Sequence, residues 1–66
     1  MTITINGADH GVEADSSLAT ILAAYGVAEK GVAVAVDGAV VPRASWQDTI
    51  VPDGAAVEVL TAVQGG

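Results

Sequence analysis

The sequence has no cysteine, no phenylalanine and only two cationic side chains, Lys30 and Arg43. Each shortage removes a class of protein. Without cysteine there is no disulfide and no cysteine-based zinc site, a usage that suits a reducing cytoplasm, which is the expected location. Tyr25 and Trp46 are the only aromatics, so the core has to be built from Val, Ile, Leu and Ala. Two cations against eight acidic side chains leave a net charge of −6. That charge repels phosphate backbones and anionic lipid headgroups, which argues against nucleic-acid and membrane partners and favours encounter with a basic patch on a protein. No stretch approaches the roughly 20 apolar residues that span a bilayer, and the N-terminus lacks the basic region of a signal peptide. The mature chain is therefore read as starting at Met1, and 66 residues allow one small domain.

What is present is patterned. Met1-Thr2-Ile3-Thr4-Ile5-Asn6 alternates polar and apolar residues, which puts Ile3 and Ile5 on one face of a strand before a turn at Asn6-Gly7. A weaker extended piece from His10 to Ala14 is expected as its hairpin partner, with Ala8-Asp9 lengthening the loop beyond two residues. Leu18, Ile21, Leu22 and Tyr25 then recur at the spacing of one apolar helix stripe. Asp15-Ser16-Ser17 supplies capping oxygens in front of them, and Gly26 suits a left-handed C-terminal cap.

Val32 to Val36 and Ala39 to Val41 flank Asp37-Gly38, the signature of a hairpin closed by a type I′ turn. Pro42 lacks a backbone donor and ends the returning strand or confines it to an edge. Arg43 to Thr49 reads as irregular or as a helical turn carrying Trp46, and Pro52-Asp53-Gly54 as another turn. Val57 to Val63 is the last strand, with Val57, Val59 and Val63 on one face and Glu58 on the other. This order predicts an α+β domain, a mixed sheet of four to five strands packed on one helix. If the first and last strands lie centrally and pair in parallel, the helix belongs to a right-handed crossover and the topology is a β-grasp. Residues 1–63 form that domain and residues 64–66 a flexible Gly-Gly tail.

The chemistry-bearing residues are few. An enzyme needs a nucleophile, a base and a stabiliser of developing charge converging in one pocket, and the chain offers no such set. His10 reads as a solvated turn residue; with Asp9 and Glu13 it makes a loosely spaced trio that is a weak metal signal. Trp46 is read as capping the core, and the Arg43 stem as covering apolar surface or contacting a partner. Asp15-Ser16-Ser17-Leu18 differs by one serine from the Asp-Ser-Leu site of acyl carriers, which are helical bundles without strands, and a doubled N-cap accounts for both hydroxyls. No glycine run precedes Lys and Ser or Thr, so no phosphate-binding loop is present.

The remaining feature is Ala62-Val63-Gln64-Gly65-Gly66. A terminal Gly pair arises by chance in about one chain in 200, so its position matters more than its occurrence. It follows a predicted core strand after Gln64 alone. A tail without Cβ atoms reaches conformations closed to other residues, threads a channel too narrow for side chains, and presents an unshielded carboxylate. Joined to the α-phosphate of ATP, that carboxylate becomes an acyl-adenylate open to a sulfur or nitrogen nucleophile. The ATP site then belongs to a partner.

These residues together resemble the ubiquitin-like sulfur carrier family of thiamine thiazole biosynthesis. The marks are Asn6-Gly7, Ser17-Leu18 with Leu22, Val32-Ala33-Val34-Ala35-Val36, Val41-Pro42-Arg43 with Trp46, Asp53-Gly54 and the Ala62 to Gly66 end. The resemblance implies a carrier and substrate without catalysis of its own, binding no cofactor itself. It implies that a ubiquitin-activating-like adenylyltransferase uses ATP and magnesium to adenylate Gly66. A sulfur donor, a cysteine desulfurase or equivalent, then converts the adenylate to a thiocarboxylate, and thiazole synthase takes the sulfur. Gly65 and Gln64 provide access for Gly66, and Arg43 and Val63 are candidate partner contacts. Asp37 stands where the family often has Asn, and Ala55 where an acidic residue often follows Asp-Gly. The other readings are the sulfur-carrying small subunit of molybdopterin synthase, a ubiquitin-like protein modifier, and an acidic β-grasp binding module whose tail is idle. An apolar sheet face with an acidic rim is the expected docking surface.

Overall fold

Two hairpins whose turns both use left-handed backbone frame the sheet. The computed structural model describes residues 1–27 and 30–61. Strands β1 (Thr2–Ile5) and β2 (Ala8–Gly11) form the first hairpin, and β3 (Val32–Val36) and β4 (Ala39–Val41) the second. In each, two residues of positive φ close the turn, Asn6 at 51° with Gly7 at 84°, and Asp37 at 50° with Gly38 at 85°. Asn and Asp tolerate this region and Gly enters it freely, so both pairs suit a turn that matches the twist of the strands. The second hairpin is as expected. The first differs from the expectation: Ile5 pairs directly with Ala8, so its loop is the two residues Asn6-Gly7, and Ala8, Asp9 and His10 are strand residues. Polar side chains are tolerated there because β2 is an edge strand with one face in water.

The helix α1 (Leu18–Tyr25) starts where Ser17 Oγ accepts the Thr20 N–H at 3.1 Å and ends at Gly26 in the left-handed region, φ 87°. Ser16 has a different task, donating its hydroxyl to Glu13 O at 2.6 Å and closing the preceding turn. Replacing Ser17 by Ala leaves the Thr20 amide without its cap, and the expected loss is about 1 kcal/mol in urea denaturation followed by Trp46 fluorescence. Leu18, Ile21 and Leu22 are buried, but Tyr25 is 44 % exposed and falls outside the core. Its ring meets His10 edge-to-face at 4.9 Å, which makes His10 a half-buried strand residue and corrects its reading as a solvated turn residue. The buried part of the apolar stripe is therefore one turn shorter than its periodicity, because the last turn lies against the polar edge strand β2 and not against the core strands.

A 3-10 segment (Arg43–Asp48) carries Trp46, 5 % exposed, whose indole N–H donates to Val41 O at 2.9 Å. The segment after it is tied to the helix start through Leu18 N to Thr49 O and Val51 N to Ser16 O. The last strand, β5 (Ala56–Thr61), completes a five-stranded sheet in the order β2-β1-β5-β3-β4. It runs parallel to β1 and antiparallel to β3, so the first and last strands are central, as a β-grasp requires. Ile3, Ile5, Val34 and Val57 point from the sheet, and Leu18, Ile21 and Leu22 from the helix, into one core with Trp46 and Val51. No helix among the described residues is long and apolar enough to cross a membrane.

Candidate functional site

The last described strand has a neighbour on each edge, and in sequence it leads to the residues of the predicted tail. On one edge β5 pairs with β3 along its whole length, from Val36 opposite Val57 to Val32 opposite Thr61. On the other edge β1 pairs with its first half, ending at the Asn6 N–H on Val57 O at 2.9 Å. Beyond that point the side chain of Asn6 takes over: Nδ2 donates to Val59 O at 3.2 Å and Oδ1 accepts from Val59 N at 2.8 Å. Val63, Gln64, Gly65 and Gly66 lie outside the described residues.

The outer face of the same strands is apolar. Val40, Ala35 and Glu58 form one row across β4, β3 and β5, and Ala33 and Leu60 the next. Val40 is 73 % exposed and Leu60 69 %. The two alanines of β3 leave a shallow hollow of about 90 Å³ between these larger side chains. A second, open hollow of about 380 Å³ shares Ala33 and Leu60 and runs to Thr61. All the acidic side chains among the described residues are exposed, and Glu58 stands within the patch itself. The face thus offers apolar surface beside negative charge, the combination suited to an apolar partner surface with basic residues at its rim.

Arg43 is exposed and lies elsewhere, beside Ala19 and Trp46 on the helix side of the sheet, so the structure does not bring it to the outer face. Asp9, His10 and Glu13 do not converge, and among the described residues no three of His, Cys, Asp or Glu form a metal-holding group. A groove of about 540 Å³ lies between the chain from Gly11 to Ser16 and the helix residues Thr20, Ile21 and Ala24, with Glu13 its one ionisable side chain. The two residues that sequence reasoning missed, Val40 and Leu60, carried a usable signal: each alternates with a neighbour that points to the core.

The sequence profile of the ThiS family matches residues 3–66. The chain belongs to the ThiS family. Solved structures agree with this assignment. The crystal structure of the thiamine biosynthesis protein ThiS from Geobacter metallireducens is 36 % identical, superposes with a TM-score of 0.83, and is matched over 100 % of both chains. A solution NMR structure of a thiamine biosynthesis protein from the same organism is 35 % identical with a TM-score of 0.76, over 100 % of this chain and 88 % of the other. No curated protein matches the chain by sequence. The ThiS match takes in the Ala62 to Gly66 segment as well as the sheet and helix. The two positions read as departures are accommodated in different ways. Asp37 keeps the left-handed turn and accepts the Ala56 N–H on Oδ1 at 2.9 Å, whereas Ala55 is a core residue, 2 % exposed, where a small side chain fits.

Proposed function

We propose that the chain is a sulfur carrier of thiamine biosynthesis whose cargo is held on the carboxyl of Gly66. The observation that carries this reading is the ThiS family match extending through Gly66 in a chain without cysteine. With no thiol to hold sulfur, the carboxylate is the group left to bear it. That carboxylate attacks the α-phosphate of ATP on an activating enzyme, pyrophosphate leaves, and an acyl-adenylate forms. A sulfur donor then displaces AMP: sulfide gives the thiocarboxylate directly, whereas a protein persulfide gives an acyl disulfide whose S–S bond a partner thiol cleaves, leaving the thiocarboxylate and a protein disulfide. Thiazole synthase receives the sulfur, and the carrier returns to its carboxylate. ATP and magnesium belong to the activating enzyme, and this chain acts as substrate and carrier. The ThiS family match also favours this pathway over the molybdopterin one.

The test is a mass measurement. Incubation with the activating enzyme, ATP, magnesium and a sulfur donor is expected to raise the mass of the intact chain by the difference between sulfur and oxygen, and only when ATP is present. An unchanged mass alongside a related carrier that is converted by the same enzymes rejects the reading.

The outer face of β3, β4 and β5 is the docking surface this reading calls for. Placing a charge in its centre by Leu60→Glu opposes an apolar contact and adds to the acidic field. The expected result is at least about tenfold weaker binding to the activating enzyme by calorimetry, as for a hot-spot position. Thermal stability should change little, because Leu60 is largely in water. Unaltered affinity would place the contact elsewhere.

A further inference from the structure

We infer that Asn6 is a positioning residue, its carboxamide acting as a missing strand peptide that holds the root of the tail. For its functional consequence this inference rests on the sulfur-carrier reading.

Strand β1 reaches only halfway along β5. After the Asn6 N–H bonds to Val57 O, the chain reverses through the left-handed pair Asn6-Gly7 and leaves. The next groups on that edge are the N–H and C=O of Val59, which without a neighbour would face no strand. A carboxamide holds a carbonyl acceptor beside one of its two N–H donors in a single plane, so it can meet the N–H and C=O of one strand residue as the backbone of a neighbouring strand would. Asn6 places both on Val59, at 3.2 and 2.8 Å. The side chain thus adds a further rung to the ladder where the backbone could not, at a point two residues before Thr61 and seven before Gly66.

A related clamp, made by one backbone and one side-chain bond, lies at the opposite end of the strand. Asp37, in the turn between β3 and β4, donates its N–H to Ala56 O at 2.8 Å and accepts the Ala56 N–H on Oδ1 at 2.9 Å. Both turn residues have positive φ, 51° and 50°. Both clamp β5 from a hairpin that has just turned away. They differ in position: Asp37 secures the start of β5, far along the strand from the tail, while Asn6 secures the stretch from which the tail departs.

The consequence is geometric. A carboxylate delivered to an adenylating site reacts from a narrow set of positions, and small misplacements are costly in rate. A strand end held on two edges fixes the point from which the chain continues towards Gly66, and freeing one edge at Val59 loosens that point without touching the outer sheet face. The loss should therefore fall on turnover more than on the apparent affinity for the carrier.

Glycine at either turn position keeps the left-handed backbone and removes only the side-chain clamp. Asn6→Gly and Asp37→Gly are compared with the wild type by amide hydrogen exchange and by steady-state adenylation with the activating enzyme. Exchange at Val59 is expected to speed up by about tenfold in N6G, and at Ala56 by a similar factor in D37G. In adenylation, N6G should lose several-fold in kcat with KM within about twofold of wild type, and D37G should match wild type in both. Unchanged exchange at Val59 in N6G overturns the inference, and so does an equal loss of kcat in the two variants, which would report general destabilisation. Wild-type protein that is not adenylated overturns the sulfur-carrier reading and the delivery role with it; wild-type protein that is adenylated beside an unimpaired N6G overturns the role of Asn6 alone.

Discussion

A chain shortened by Gly66 is expected to gain no sulfur when incubated with the activating enzyme, ATP and a sulfur donor, with its urea unfolding midpoint unchanged. The deletion leaves a carboxylate, so the reacting group is still chemically competent. What changes is its place: one extended residue spans about 3.5 Å, and the new terminus falls short of the α-phosphate by that distance. A misplacement of about 1 Å already costs on the order of 100-fold in rate, so the loss should exceed that and leave no product within the assay. Stability is the control, since the domain's core is made by Ile3, Ile5, Leu18, Ile21, Leu22, Val34, Trp46, Val51, Ala55 and Val57, all well before residue 66. Mass spectrometry reads the first effect and Trp46 fluorescence the second. Sulfur appearing on the shortened chain at the wild-type rate would place the cargo elsewhere.

The second large effect is on folding. Leu18→Ala is expected to cost about 2–5 kcal/mol, the range for removing a buried leucine side chain when its surroundings cannot collapse. Leu18 is 0 % exposed at the first position of the helix, and its N–H bonds to Thr49 O, which ties the helix start to the segment before Val51. The packing around it is shared by strand and helix, so little can move inward to fill the gap. A domain of this length has a total stability of only about 3–10 kcal/mol, and a substantial unfolded population should result. Urea titration should show the midpoint falling sharply, whereas Leu60→Ala, on the exposed face, should shift it by no more than about 0.5 kcal/mol. Equal behaviour of the two leucines would refute the assignment of inner and outer faces.

The parts of the fold that were legible from the residues are those set by local chemistry. Val32 to Val41 announces its hairpin because Asp37-Gly38 accepts the turn that twisted strands need, and the structure pairs Val36 with Ala39 across it. Ser17 and Gly26 bracket the helix because each satisfies backbone groups that the helix leaves free. The first hairpin was harder. Its polar second strand, Ala8–Gly11, carries no apolar alternation, because an edge strand facing water has no need of it. Tyr25 follows the helical period yet stays 44 % exposed against His10 of the edge strand, since periodicity gives a direction around the helix and says nothing of which strand lies beneath it.

The residues of the candidate site divide in the same way. The Gly65-Gly66 end and the absence of any thiol are properties of composition and order, readable without coordinates. The bond between Asn6 and Val59 spans 53 positions and exists only because β1 and β5 lie side by side in parallel. Likewise Val40 and Leu60 meet on one outer face only because β3 lies between their strands. By itself, the sequence determined the second hairpin's turn, the helix caps and the presence of a Gly-Gly end, because these depend on neighbours within a few residues. Only the tertiary structure decided which strand lies against which. That pairing brings Asn6 to Val59 and sets Val40 and Leu60 on one outer face, since both arrangements depend on contacts between residues far apart in the chain.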